Sequence, residues 1–409
     1  MRKVKALEQP KSILWIAAGN PINESTIGVY SILDESVSQA FPNIRQVLYT
    51  NSLTHPKFPF DTYHVDRTTG LCLAEQSTLV TISAWQEGEL DMADLIIANT
   101  EMSVMFIALL GLEYVGAEKW MGAMWRQSPV IMTPIQISYD GEALSGEIEQ
   151  SYAKSVFWGM MARAYPHLSI ATFDNDHHLA LAKKAYRENA PECIDVPVRK
   201  FIYYQYAGQL VRGVRKDKVI WSGRCNPVKN PQFGIDVLRK LDALGVEVRM
   251  YMPSGKPRLL EKMLHQFCEH IVVGLGTDDY LKQVSDAKVV VTSSLTEGFP
   301  AGYLELAERG VVPLLPDRTW SKAFLGDDYP FIYKNENDAT AIALYVLAHY
   351  EECVEKLDQA MRKRFSEPPN FVSIIKDVWR DWREVYQTRK LIVDETEIRG
   401  NDARDNSSE

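Results

Sequence analysis

Two short segments gather charged side chains whose types and spacing suit the binding of hydroxyls and of anions. In Thr296-Glu-Gly-Phe-Pro-Ala-Gly-Tyr-Leu-Glu305, the carboxylates Glu297 and Glu305 form an E-x7-E pair, with Gly298 opening the stretch between them. Ionised carboxylates only accept hydrogen bonds, which suits them to the hydroxyls of a sugar or ribose. A glycine there lets backbone N–H groups come close to an anion at the start of the following helix. Upstream, Gly223-Arg-Cys-Asn-Pro-Val-Lys229 sets Arg224 and Lys229 around an Asn226-Pro227 turn. An arginine fork beside a lysine point charge can clamp a diphosphate. The same cations would stabilise charge building on a phosphate leaving group. A bare E-x7-E is common by chance, and charged side chains on turns are often only solvated, so the weight lies in the two segments together.

Other polar residues have plainer readings. Asp174-Asn-Asp176 has metal-site spacing, but a helix cap before His177 and His178 is the better reading, because two cations already supply the charge a metal would bring. No metal is expected. Asp140, in Ile135-Gln-Ile-Ser-Tyr-Asp140-Gly, is open to a polar role in a cleft or to a simple cap. The basic cluster Arg212, Arg215, Lys216 and Lys218 reads as a solvated linker, and Trp379 and Trp382, three apart, read as core anchors of one helical face.

Both chemical segments directly follow short apolar runs. Val219-Ile-Trp-Ser-Gly223 precedes Arg224, and Ala287-Lys-Val-Val-Val-Thr292 precedes Glu297. Such runs read as buried parallel strands, and ligands of open α/β sheets gather at the carboxyl ends of those strands. A first βα series has strands at Ser12–Gly19, Gln46–Thr50, Ala93–Asn99, Pro129–Pro134 and Ser169–Phe173, with helical patterns at Gly28–Val37 and Glu147–Ala164. A second adds strands at Val246–Tyr251, His270–Gly274 and Val311–Leu315, and helices at Asn230–Leu244, Pro257–Cys268 and Asp278–Val284. Amphipathic helices follow at Asp338–Ala348, Glu351–Arg364 and Phe371–Gln387. The fold class is therefore α/β, two Rossmann-like domains facing a cleft. Their expected extents are 1–210 and 211–370, followed by a helix over 371–390 and a disordered acidic tail over 391–409.

Composition narrows the classes. The chain has 409 residues, 46% hydrophobic and 24% charged, ordinary values for a globular protein of two or three domains. Its charge of −9 is uneven: residues 1–200 carry 16 basic and 23 acidic side chains, which argues against a broad nucleic-acid footprint. Five scattered cysteines, with no C-x-x-C pair, give no zinc cage or disulfide framework and suit a reducing cytoplasm. The first residues read as no signal peptide, and the longest apolar stretch, Val104–Leu112, is too short to span a bilayer.

The two chemical segments together resemble the retaining nucleotide-sugar glycosyltransferases of the GT-B fold, specifically glycosyltransferase family 4. That family pairs a G-R-x4-K turn with an E-G-F-x5-E segment some seventy residues later. Here both occur in that order, with Thr277-Asp-Asp-Tyr280 matching a segment between them. The resemblance is strong over about residues 217–317 and mainly topological elsewhere. It implies that Arg224 and Lys229 bind the donor diphosphate, that Glu297 holds sugar hydroxyls near the anomeric carbon, and that Glu305 binds the ribose. Gly298, Phe299 and Pro300 would line the donor. Gly19 and Gly28 stand where many members have a glycine-rich first loop, here carrying only those two glycines. Where many members place an acceptor-side histidine, this chain has the Asp140 region.

The resemblance further implies no cofactor beyond a nucleotide-diphosphate sugar as donor, a last helix crossing back to the first domain, and a glycan or glycolipid-type acceptor. A phage-type enzyme acting on a hydroxymethylated DNA base and a non-catalytic nucleotide-sugar-binding protein are the alternatives. The acidic front half counts against DNA, and the lack of a basic amphipathic membrane helix counts against a lipid-bound acceptor.

Overall fold

The computed structural model describes residues 9–17, 36–51, 61–65, 73–98, 128–132, 168–173, 198–202, 204–211, 213–252, 257–275, 277–297 and 300–384. The first sheet contains β1 (Ser12–Ala17), β2 (Arg45–Thr50), β3 (Asp61–His64), β4 (Leu95–Ala98), β5 (Val130–Met132), β6 (Leu168–Phe173) and β7 (Val198–Phe201). Its order is β3-β2-β1-β4-β5-β6-β7, with every pairing parallel. Central strands such as Ile13-Leu-Trp-Ile-Ala17 are buried along their length, as a sheet covered on both faces requires. The strands expected from sequence at β1, β2, β4, β5 and β6 are present. The two edge strands were not expected. Asp61-Thr-Tyr-His64 and Val198-Arg-Lys-Phe201 are polar and short, the composition that blunts an edge against foreign pairing.

The second sheet has β8 (Lys216–Ser222), β9 (Glu247–Met252), β10 (Ile271–Val273), β11 (Ala287–Val291), β12 (Val312–Pro316) and β13 (Ile332–Tyr333), in the order β10-β9-β8-β11-β12-β13. Around it lie α1 (Pro231–Asp242), α2 (Pro257–Phe267), α3 (Thr277–Val284), α4 (Ala301–Glu308), α5 (Thr319–Leu325), α6 (Glu336–Ala348) and α7 (Tyr350–Arg364). α1 opens on a proline at its first position, where the missing N–H costs nothing, and buries Ile235, Leu238 and Leu241. Gly234 of α1 lies against Trp221 so closely that an added Cβ would stand 2.4 Å from the indole Cδ1. α5 and β13 had no counterpart in the sequence reading. Two residues of strand and seven of helix carry too little periodicity to register.

The linker reading of the basic cluster is corrected at its C-terminal end. β8 begins at Lys216, and Lys218 is only 4% exposed. Its ammonium pairs with Asp286 and donates to the Gln283 carbonyl at 2.8 Å, so burial is matched by partners. Arg212 falls outside the described residues.

The chain then returns to the first sheet, as expected. Residues 371–384 are helical (α8), and Phe371, Ile374, Ile375 and Val378 pack into the cluster formed by Ile13, Trp15, Leu48 and Ile97. Asn370 fixes the entry. Its side chain accepts from the Ile202 N–H at 2.8 Å and donates to the Lys200 carbonyl at 2.9 Å. Arg199 of β7 bonds Asp381 at 2.6 Å. Trp379 and Trp382 are buried with ring centroids 4.9 Å apart. Among the described residues, no helix is long and apolar enough to cross a membrane.

Candidate active site

Strand order reverses between β8 and β11, so the loops leaving those two neighbours diverge and open a crevice at their carboxyl ends. Arg224 and Lys229 lie on the first loop and Glu297 on the second. Pro227–Lys229 forms a single 3-10 turn whose cap is Asn226, the side chain of which accepts from the Lys229 N–H at 3.0 Å. Asn230 follows with φ 45° and ψ 58°, a left-handed conformation that asparagine tolerates better than most residues. The chain thereby swings from the turn straight into α1.

The two loops are tied together below their charged groups. The Leu295 N–H donates to the Val228 carbonyl at 2.7 Å. Ser293 Oγ accepts from Trp221 Nε1 at 2.8 Å and lies 2.7 Å from the Lys229 carbonyl and 2.9 Å from that of Asn230. A single buried hydroxyl therefore joins the core tryptophan of β8, the turn bearing Lys229 and the loop bearing Glu297. Above this tie, Lys229 Nζ and Glu297 Oε1 form an ion pair spanning 68 positions of sequence. Both side chains are mostly shielded, 17% and 11% exposed, so the attraction is little screened by solvent. Arg224 is exposed on the same turn. Cys225, next to it, is fully buried, and burial pushes its thiol up, which keeps it protonated and inert.

Aromatic residues form the wall. Tyr303 of α4 is buried, its hydroxyl 3.3 Å from Ser294 Oγ and its ring 5.7 Å from Lys229 Nζ. Burial, reinforced by the nearby Glu297 charge, holds the Tyr303 phenol far above its ordinary value, so it stays neutral. Tyr280 lies 2.7 Å from Ser222 Oγ at the end of β8. Burial raises its phenol too, with the Glu305 charge adding to the shift.

The structure thus brings Lys229 and Glu297 into contact and places Arg224 on the same turn. Glu305 sits half-buried on α4, and Pro300 stands at that helix's N-cap position. Gly19, Gly28, Asp140, Gly298 and Phe299 lie outside the described residues, as do Asp174, Asp176, His177 and His178. Sequence reasoning missed Trp221, Ser293, Asn226, Asn230 and Tyr303 as site residues. Only Asn226-Pro-Val-Lys-Asn230 left a trace, as turn-forming chemistry. Among the described residues no group of three His, Cys, Asp or Glu side chains is placed to hold a metal ion.

No family model matches the chain, and no curated protein sequence matches it. Solved structures match it in shape. Sucrose-phosphate synthase from Thermosynechococcus elongatus superposes with a TM-score of 0.64 at 13% identity, over 92% of this chain and 100% of the other. HepE of Anabaena, in complex with UDP and glucose, gives 0.61 at 11% identity, over 93% and 99%. WaaG, a glycosyltransferase involved in lipopolysaccharide biosynthesis, gives 0.58 at 11%, over 90% and 99%. The fold is GT-B. At such identities the likeness carries the architecture, and chemistry has to be argued from this chain's own residues. Within a GT-B frame, the crevice at β8 and β11 belongs to the second Rossmann-like domain, on the side where its strands end.

Proposed function

We propose that the protein is a glycosyltransferase that moves a sugar from a nucleotide-diphosphate sugar to an acceptor hydroxyl. The observation that carries this reading is the Lys229–Glu297 pair at the switch point of the second sheet, with Arg224 exposed beside it. HepE, of the same fold, has been solved with UDP and glucose, ligands of the expected chemistry.

Without donor, Lys229 is neutralised by Glu297. A diphosphate offers more charge and several acceptor oxygens, so it takes the ammonium, with the Arg224 fork as second clamp. Glu297 is thereby released to accept from hydroxyls of the transferred sugar. Glu305 takes the ribose hydroxyls, and the Gly298-Phe299-Pro300 loop supplies backbone contacts. Gly19 and Gly28 border the donor from the first domain, and Asp140 serves the acceptor side. Transfer is retaining. The bond from the anomeric carbon to the phosphate oxygen breaks, the acceptor oxygen bonds the same carbon from the same face, and its proton passes to the leaving diphosphate. Arg224 and Lys229 stabilise the charge on that leaving group without a metal. Closure of the cleft excludes water and protects the donor from hydrolysis. The acceptor is a glycan or glycolipid-type hydroxyl, and the reaction is cytoplasmic.

Exchange at Lys229 has a sharp consequence. Glu297→Gln removes the competitor for the ammonium but spoils the sugar contact. It should bind UDP at least as tightly as wild type while transfer, or donor hydrolysis, falls a hundredfold or more. Calorimetry with UDP beside a UDP-release assay reads both. A variant that loses UDP binding and turnover together would sink the exchange. Proton NMR of the product's anomeric proton tests retention, and unchanged turnover in EDTA tests the metal-free reading.

A further inference from the structure

Two connectors join the domains. One leads from β7 to β8, and the other returns from α7 to α8. They are bonded to each other at both ends. Towards the first domain, the Asn370 side chain accepts from the Ile202 N–H, and the Asn370 N–H donates to the Ile202 carbonyl at 2.9 Å. Towards the second, the Tyr206 N–H donates to the Phe365 carbonyl at 3.0 Å, and the Gln205 side-chain amide donates to the Ser366 carbonyl at 3.1 Å. From Tyr206 onward the outgoing connector is fastened to α7. The Tyr206 hydroxyl donates to Asp358 at 2.5 Å, and Arg362 holds both Asp358 and the Gly208 carbonyl. The span between the two sets of anchors is short, and Tyr204 stands in it.

Tyr204 reaches beyond its own connector. Its ring packs against the cores of both domains and meets Phe365 edge-on, with centroids 5.2 Å apart. Its hydroxyl donates to Glu308 Oε1 at 2.6 Å. Glu308 is the last residue of α4, and its carbonyl accepts from the Val211 N–H at 2.8 Å. The outgoing connector thus grips the end of α4 twice, by side chain and by main chain. Burial, reinforced by the hydrogen bond to Glu308, pushes the Tyr204 phenol far above its ordinary value, so the hydroxyl keeps its proton and remains a donor. α4 also carries Glu305 and Tyr303 of the crevice wall, and it follows the loop of Glu297. A single side-chain bond therefore joins the crossing between domains to the helix that lines the crevice.

We infer that Tyr204 is a positioning residue that, through Glu308, couples the pose of α4 to the angle between the domains. It acts through Glu308 and α4 rather than on the substrates. In the proposed transfer, on which this role rests, a donor seated against Glu305 shifts α4, and Tyr204 passes the shift to the connectors. Filling the crevice and closing the cleft are thereby one event, and closure in turn settles Glu305 on the donor.

The test uses the full chain. UDP, GDP and ADP are titrated calorimetrically into wild type, and the tightest of them serves as probe. Hydrogen exchange is then followed over residues 202–206 and 365–370, with and without that nucleotide, in wild type, Tyr204→Phe, Glu308→Ala and Glu308→Gln. In wild type the nucleotide should slow exchange there about tenfold or more. Tyr204→Phe and Glu308→Ala should bind it within about twofold of wild type yet lose the slowing, and their turnover should fall about tenfold in kcat with the donor KM little changed. Glu308→Gln still offers an oxygen to the Tyr204 hydroxyl and should respond as wild type does. A bond that merely stabilises the fold would lower the melting temperature of the Phe and Ala variants and leave their response to nucleotide intact. That result overturns the coupling, as does connector exchange in wild type that ignores the bound nucleotide. Should Tyr204→Phe fail to fold, Glu308→Ala against Glu308→Gln decides the matter. Binding of none of the three nucleotides to wild type overturns the donor reading and this role with it, and calorimetry distinguishes that failure from one at Tyr204.

Discussion

Lys229 and Glu297 illustrate how a residue can be legible in type and hidden in partnership. Each was visible in sequence because a lysine and a glutamate stand in short, unusual segments directly after apolar runs. Their contact was not, since it depends on β8 and β11 lying side by side. Arg224 differs from both in being exposed, so its loss removes charge and little packing. Arg224→Ala should change unfolding free energy by no more than about 0.5 kcal/mol, as at most surface positions. It should nevertheless weaken UDP binding about tenfold or more, the scale of one charge-assisted hydrogen bond. Urea melts and calorimetry on one preparation check both. Asp286 carries a pH prediction. Burial works to raise its pKa, but the pairs with Lys218 and Lys216 outweigh it and hold the carboxyl below its ordinary value. A depressed carboxylate stabilises the fold above its unfolded value of about 3.9, and that contribution fades as pH drops through the lower folded value. Asp286→Asn should therefore be less stable than wild type in urea at pH 7, with the gap narrowing below about pH 4.

Among the elements, β8 and its turn show most clearly what a strand contributes to a site. Trp221 fills the core under α1, and its indole N–H reaches Ser293, 72 positions away, which in turn touches the carbonyl of Lys229. Serine is too common a residue for sequence to single out, and all its partners are distant. Ser293→Ala leaves the Trp221 N–H buried without its acceptor and should cost about 1–3 kcal/mol. A double-mutant cycle with Trp221→Phe should return a coupling of about 0.5 kcal/mol or more, whereas independent residues would add. Gly234→Ala forces a Cβ into the indole and should destabilise by about 1–3 kcal/mol through overpacking. Denaturant melts of these variants decide each case. The two-residue β13 was too short to register, and the edge strands β3 and β7 stayed illegible for another reason. Apolar alternation is the signal sequence offers for a strand, and polar edges lack it.

At the scale of the molecule, the two βα series and the return helix were readable, because long buried strands and a helix with two tryptophans on one face leave strong apolar patterns. Which sheet that helix would cover came from resemblance alone, and the packing of Phe371 against Phe201 and Trp15 supplies the physical basis. Phe371→Ala should cost about 3–5 kcal/mol, the range for emptying a core aromatic site. Hydrogen exchange should show the lost protection concentrated in β1 and β2 while β8 and β11 keep theirs. Evenly spread loss would contradict a helix that belongs to the first core. The central claim, a diphosphate clamp at the switch point of the second sheet, is tested most directly by calorimetric titration of UDP-, GDP- and ADP-sugars into wild type and Arg224→Ala/Lys229→Ala. The account predicts that at least one donor binds wild type and binds the double variant a hundredfold or more weakly. Equal affinity in the two proteins, or no binding of any of these donors to wild type, would contradict it.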